Sequence, residues 1–229
     1  MRSASCAAGS AARRPAPDVQ IAILLYDGLT ALDAIGPYDV LKLMPGANVR
    51  LVAAEPGEIQ TDGPLKLVAG EELQAVARPD IVVVPGGPGA RAAAGDERIL
   101  DWLRDAHEHT QFTTSVCWGS ELLGAAGLLE GVRATSHWLV REELSGHGAI
   151  AVDERVVVSG RIITSAGVSA GIDMALALAA LTAGDEVAQR IALILEYAPE
   201  PPFAGAGSPR TAAADLVAGM RAGYARSGS

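Results

Sequence analysis

The chain has 229 residues, 49% of them apolar and 20% charged, with a formal net charge of −9, which is long enough for one substantial core. The acidic balance, with lysine only at Lys42 and Lys66, excludes nucleic acid and anionic membrane as partners, because those surfaces attract clustered Lys and Arg. No uninterrupted apolar run approaches the roughly 20 residues needed to cross a bilayer; Met174 to Leu181 comes nearest, bracketed by Asp173 and Asp185.

Residues 1–17 are mostly Ala, Ser, Arg, Gly and Pro. They lack the apolar stretch of a secretory signal and read as a disordered N-terminal extension, or as an early start ahead of the true domain. Cys6 lies there and Cys117 in the body, so a structural disulfide is not expected and a reducing cytoplasm fits the cysteine usage.

From Val19 the chain alternates between strands and helices. Val19 to Leu25 is a nearly continuous apolar run closed by Asp27-Gly28, the pattern of a strand buried on both faces. A helix follows over Leu32 to Met44, with Pro37 placed in its first turn. Val49 to Ala53 and Leu65 to Val68 read as strands joined by a turn-rich connection. Asp80 to Pro85 is the clearest parallel strand, broken by Pro85-Gly86-Gly87-Pro88-Gly89, and Ile99 to His107 is a helix. Phe112 to Val116 is a strand that runs into Cys117 and the helix Glu121 to Leu129. Arg133 to Thr135, a helix over His137 to Leu144, strands at Val156 to Val158 and Ile162 to Ser165, and helices at Ala170 to Leu181 and Glu186 to Tyr197 complete the body. A Pro-rich arm from Pro199 ends in a final helix over Ala212 to Tyr224. This order predicts an α/β fold: a three-layer sandwich whose mainly parallel central sheet is flanked by helices, with the domain at 18–203 and the arm at 204–229.

Sites in open α/β sheets form beyond the carboxyl ends of the strands, and three such ends carry unusual chemistry. Cys117 sits at a sharp strand-to-helix turn, where Gly119 and Ser120 leave room for the thiol to project above the sheet. The helix beginning beneath it is expected to lower the thiol pKa. A buried structural thiol is the competing reading. The first strand delivers Asp33, a general acid or, alternatively, a helix cap. At the fourth, Gly86 and Gly87 expose backbone N–H groups to a ligand or merely shape a tight turn. Neither a dinucleotide G-x-G-x-x-G nor a Walker pattern follows these glycines.

Among the histidines, His107 and His109 end a polar helix, and His147 lies in a glycine turn. His137, opened by Ser136 as a helix cap, is the candidate for the cleft. At a helix N-terminus it is expected to be neutral. No second cluster supports a metal.

Together, Asp33 with Gly36-Pro37, Val84-Pro85-Gly86-Gly87, Ser115-Val116-Cys117-Trp118-Gly119-Ser120, Leu122 to Leu129 and Thr135-Ser136-His137-Trp138 resemble the ThiJ/PfpI superfamily of the class I glutamine-amidotransferase-like fold, over roughly residues 18 to 205. Ser169 to Asp173 and Glu196 to Phe203 resemble the bacterial isocyanide hydratases within it. The resemblance implies a cofactor-free, metal-free homodimer acting on a small molecule, with Cys117 attacking the isocyanide carbon and Asp33 handling protons. Gly86, Gly87, Trp118 and His137 then serve as oxyanion or substrate-binding residues, the N–H groups of Gly87 and Trp118 facing developing charge. Trp118 stands where proteases and glyoxalase-type members place His, and where the hydratases carry a small Thr. Another Cys/Asp enzyme of the same scaffold (a glyoxalase, a lyase or a tailoring enzyme) and a ligand or redox sensor are the competing functions. A regulator of the AraC type requires a DNA-binding domain that the short tail after Phe203 does not supply.

Overall fold

A computed structural model describes residues 18–203 and 205–227. The expected disordered extension at 1–17, and Cys6 within it, lie outside these residues.

The central sheet has seven strands. In chain order its first members are β1 (Val19–Leu24) and β2 (Ala47–Ala53). A separate antiparallel hairpin follows, β3 (Gly57–Gln60) with β4 (Lys66–Ala69). Next come β5 (Glu71–Glu72), β6 (Ile81–Val84) and β7 (Phe112–Val116). A small parallel pair, β8 (Arg133–Ala134) and β9 (Ile150–Ala151), lies apart from the main sheet. The chain then returns to it through β10 (Val156–Ser159) and β11 (Ile162–Ser165). The spatial order is β10-β11-β7-β6-β1-β2-β5. Every pairing in it is parallel except β10 with β11. This is the mainly parallel sheet that the strand and helix alternation predicts. β6, with Ile81, Val82, Val83 and Val84 all fully buried, has the unbroken apolar face of a strand covered on both sides.

The helices are α1 (Ala31–Leu41), α2 (Ala90–Ala93), α3 (Glu97–His109), α4 (Gly119–Ala125), α5 (Ala170–Ala183), α6 (Asp185–Ile194) and α7 (Ala214–Ser227). α1 packs on α5 and α5 on α6, whereas α4 packs on α2 and α3. These two groups flank the sheet and close the core. α3 shows the local logic most plainly. Asp96 caps it by accepting the Arg98 N–H at 3.0 Å. Ile99, Leu100, Trp102, Leu103 and Ala106 form its buried stripe, and the Trp102 indole N–H donates to the Val76 carbonyl at 3.0 Å.

The strand expected at Leu65 to Val68 is β4, and it pairs with Gly57–Gln60, because the turn Thr61 to Leu65, fixed by Thr61 Oγ1 donating to the Leu65 carbonyl at 2.7 Å, folds that segment into a hairpin. Three expectations are corrected. Pro37 lies inside α1 rather than in its first turn, since the helix starts at Ala31; the missing N–H removes the bond that would close on the Asp33 carbonyl. His137 to Val140 is a turn, and only Arg141–His147 is helical, as a 3₁₀ segment. Ser136 therefore does not cap a helix there. Its hydroxyl donates instead to the Cys117 carbonyl. Finally, His147 is not in a free surface turn. Its ring packs over Gly124 and its Nε2 lies 3.0 Å from Glu121 Oε1.

Among the described residues, no helix is long and apolar enough to cross a membrane.

Candidate active site

Four adjacent parallel strands, β1, β6, β7 and β11, end on the same side of the sheet. Just beyond those ends lie Asp33, Gly86-Gly87, Cys117 and Val168. Parallel pairing is what gathers them, because it aligns the carboxyl ends of the strands.

Cys117 occupies the turn between β7 and α4 with φ 57°, a left-handed conformation that non-glycine residues adopt at a cost. The surroundings hold it there. Its N–H is shared between the carbonyls of Ser165 and Ala166, both at 3.1 Å. Its carbonyl accepts from Ser136 Oγ at 2.7 Å and Ser120 Oγ at 3.1 Å. The side chain is a free thiol, and the residue is 3% exposed.

Asp33 comes from the first turn of α1 and is fully buried. Its Oδ2 accepts the Gly86 N–H at 2.9 Å. The thiol hydrogen-bonds to the same carboxyl, while Oδ1 has no partner of regular geometry. Burial pushes the carboxyl up to about 7; the Gly86 N–H and the thiol oppose the rise, and the charge of Asp62 adds to it. Asp33 is therefore not the helix cap. That position is taken by Thr30, whose side chain makes no capping bond.

The thiol pKa departs from expectation. Burial, then the negative charge of Asp33, push it well above its ordinary value, and the N–H groups of Val168 and Trp118 only partly oppose this. A short helix end is worth about 1 kcal/mol or less, whereas burial shifts a pKa by up to several units. Desolvation wins. Carboxyl and thiol thus form a buried acid pair in which keeping both groups ionised is costly, an arrangement suited to holding one proton between sulfur and oxygen.

The two glycines serve the pair differently. The Gly86 N–H is engaged by Asp33 rather than offered to a ligand. A Cβ on Gly86 would lie 2.3 Å from the Trp118 nitrogen and 2.9 Å from Asp33 Oδ2, so side-chain-free backbone is required for the carboxyl and the elbow to meet. Gly87, at φ 129°, packs against Gly28 to Thr30, where a Cβ would come within 2.4 Å of the Thr30 nitrogen. Thr30 N–H donating to the Gly86 carbonyl at 2.8 Å ties the turns together.

Trp118 is split between two tasks. Its N–H hydrogen-bonds to the sulfur. Its half-buried indole turns toward the C-terminal arm, meeting Tyr224 of α7 edge-on at 5.7 Å with the Arg91 guanidinium 5.8 Å from its centroid. Arg91 also donates to Glu143 at 2.9 Å and to the Tyr224 hydroxyl at 2.9 Å. The arm is thereby fastened beside the elbow.

His137 is half-buried, and burial lowers its pKa. The direction is the one expected, with desolvation as the cause instead of a helix terminus. Its Nδ1 accepts the Leu139 N–H at 3.3 Å, which leaves the ring proton on Nε2. His137, Ser136 and Val168 border a cavity of about 340 Å³. Its lining includes Val168, whose N–H hydrogen-bonds to the sulfur, and Ser136, whose hydroxyl donates to the Cys117 carbonyl, but neither Cys117 nor Asp33. Trp118 does not line it. A second cavity, about 300 Å³, is bordered by Tyr26, Ala53 and Ile99 and includes neither Cys117 nor Asp33.

Val168 is the functional candidate that sequence reasoning missed. It is β-branched with φ 27°, and no composition signal marks such a residue. His107 is occupied by Thr113 at 2.8 Å. Among the described residues, no three His, Cys, Asp or Glu side chains gather as a metal site.

Comparison with known proteins agrees with this architecture. The chain is 43% identical over 199 residues to isonitrile hydratase of Pseudomonas putida, covering 87% of each sequence. A crystal structure of a ThiJ/PfpI family protein from Pseudomonas syringae superposes with a TM-score of 0.88 at 38% identity, covering 91% of this chain and 87% of that one. Drosophila melanogaster DJ-1beta superposes with a TM-score of 0.73 at 25% identity, covering 80% of this chain and all of the other. Residues 19–181 match the model of the DJ-1/PfpI family, and the chain belongs to that family.

Proposed function

We propose that the protein hydrates an isocyanide to an N-substituted formamide, with Cys117 as nucleophile and Asp33 as proton carrier. The observation that carries this reading is the buried pairing of a thiol at a strained elbow with a carboxyl held near 7. Similarity to a Pseudomonas putida isonitrile hydratase supports the choice of substrate.

The chemistry follows from the pair. Ionised Asp33 takes the thiol proton as sulfur attacks the terminal isocyanide carbon. That carbon becomes carbanion-like and receives the proton back from Asp33, giving a thioimidate, R–N=CH–S–Cys117. A carboxylate of ordinary pKa would be a weaker base toward the thiol. Water then adds to the same carbon as the nitrogen gains a proton, and the tetrahedral adduct releases R–NH–CHO and the thiol. The N–H groups of Val168 and Trp118 stabilise the sulfur whenever it carries negative charge.

The residue after the nucleophile bears on competing chemistries. Trp118 cannot supply the imidazole of an adjacent Cys-His pair, and its indole is committed to Tyr224 and Arg91. Following an aryl isocyanide by ultraviolet absorbance tests the reading: the wild type consumes it and forms the formamide, while Cys117→Ala gives no more than the buffer blank. Consumption by the alanine variant at the wild-type rate would refute it.

A further inference from the structure

The cavity bordered by Ser136, His137 and Val168 is rich in arginine for a chain of net charge −9. Arg141, Arg155 and Arg210 all line it, against Asp153 and Glu154. The pairings are unequal. Glu154 is held by Arg133 at 2.6 Å, and Arg155 by Asp173 on α5 at 2.5 Å. Arg141, with a side chain only 12% exposed, takes Asp153 Oδ1 at 2.5 Å and lies 3.6 Å from Glu142 Oε1. Among the described residues, Arg210, on the arm, has only the other oxygen of Asp153 as an acidic partner, at 3.9 Å, beyond hydrogen-bond length. One carboxylate is thus shared by two guanidiniums, and the fork of Arg210 remains without a close acid.

We propose that this cavity binds a carboxylate carried by the substrate itself, with Arg210 as its guanidinium partner, so that the preferred substrates are acidic isocyanides. The inference rests on the hydratase reading and adds a substrate class to it. Arginine suits the task because its planar fork matches a carboxylate with two parallel N–H bonds. An anion approaching an acidic protein is repelled at long range, so it needs a guanidinium without a close carboxylate of its own. Arg210 supplies it. His137 contributes a neutral Nε2–H to the same wall, a polar donor that adds no charge of its own.

The test compares kcat/KM for para-isocyanobenzoate and its methyl ester. The wild type favours the acid by about tenfold, the worth of one charge-assisted hydrogen bond. Arg210→Gln brings the acid-to-ester ratio to about one, Arg210→Lys restores part of it, and added salt lowers it in the wild type. A wild-type ratio at or below one, or a ratio that Arg210→Gln leaves intact, overturns the anion site while the hydratase reading stands. If neither compound is consumed, the hydratase reading fails, and calorimetry with para-formamidobenzoate decides the anion site alone. Saturable binding weakened about tenfold in Arg210→Gln sustains it; no binding, or binding indifferent to that substitution, overturns it.

Discussion

Cys117 and Val168 both hold a left-handed backbone, φ 57° and 27°, and the Val168 N–H hydrogen-bonds to the Cys117 sulfur. Each such conformation costs on the order of 1–3 kcal/mol. Two serine hydroxyls on the Cys117 carbonyl, and two carbonyls on its N–H, hold the first of these turns in place. The strain aims a thiol and an N–H at one another, which relaxed turns would not do.

Replacing Val168 by glycine removes the steric part of that cost and loosens the loop. Val168→Gly is expected to keep or raise the thermal midpoint while turnover falls by about tenfold or more, because the N–H facing the sulfur is no longer fixed. Calorimetry and steady-state kinetics on the same preparation check it. A variant that is both less stable and fully active would contradict a functional role for the strain.

Asp33 carries a stability signature with a definite sign. Its carboxyl titrates at about 7 in the folded chain and at about 3.8 without the fold, so the native state binds the extra proton between those values. Stability is greatest below the lower value and is lost as pH rises through the higher one, by a few kcal/mol. Asp33→Asn removes this dependence. Thermal midpoints of the wild type should decline from about pH 4 to 7 and those of the variant much less. Equal slopes would place the raised carboxyl elsewhere.

The same pairing governs reactivity. Transfer of the thiol proton requires ionised Asp33, so kcat/KM should rise with pH along a limb centred near 7. The charge of Asp33 also holds the thiol pKa up. Asp33→Asn is therefore expected to alkylate faster with iodoacetamide at mildly alkaline pH, even as catalysis collapses by about 100-fold or more. Slower alkylation in the variant would mean that Asp33 activates the thiol at rest instead of restraining it.

Trp118 makes a structural prediction. Its indole fastens α7 through Tyr224 and Arg91, so Trp118→Thr should raise hydrogen exchange across Ala214–Ser227 while β6 and β7 stay protected. Unchanged exchange in α7 would show that the arm is held by other contacts.

Legibility in the sequence followed the range of the interactions. Ile81 to Val84, buried on both faces, and Phe112 to Val116, running into a glycine-containing turn, announce their strands through local pattern. Cys117, Asp33 and Gly86-Gly87 were visible because each follows such a strand, where α/β sheets place their sites. Residues whose roles depend on partners far along the chain were not visible. Ser136 looked like a helix cap, yet its hydroxyl reaches back nineteen positions to the Cys117 carbonyl. His137 to Val140 has helical spacing, yet the chain there closes as a turn on the His137 carbonyl, which accepts from the Val140 and Arg141 N–H groups. The thiol pKa departs from the local pattern for the same reason: the helix beneath it is written locally, whereas its desolvation and the charge of Asp33 come from the assembled fold.

Cyclohexyl isocyanide incubated in D₂O, with the product read by mass spectrometry, tests the central claim most directly. The account predicts N-cyclohexylformamide bearing deuterium at the formyl carbon from the wild type, and none above the blank from Cys117→Ala or Asp33→Asn. No formamide from the wild type, or equal amounts from Cys117→Ala, would contradict it.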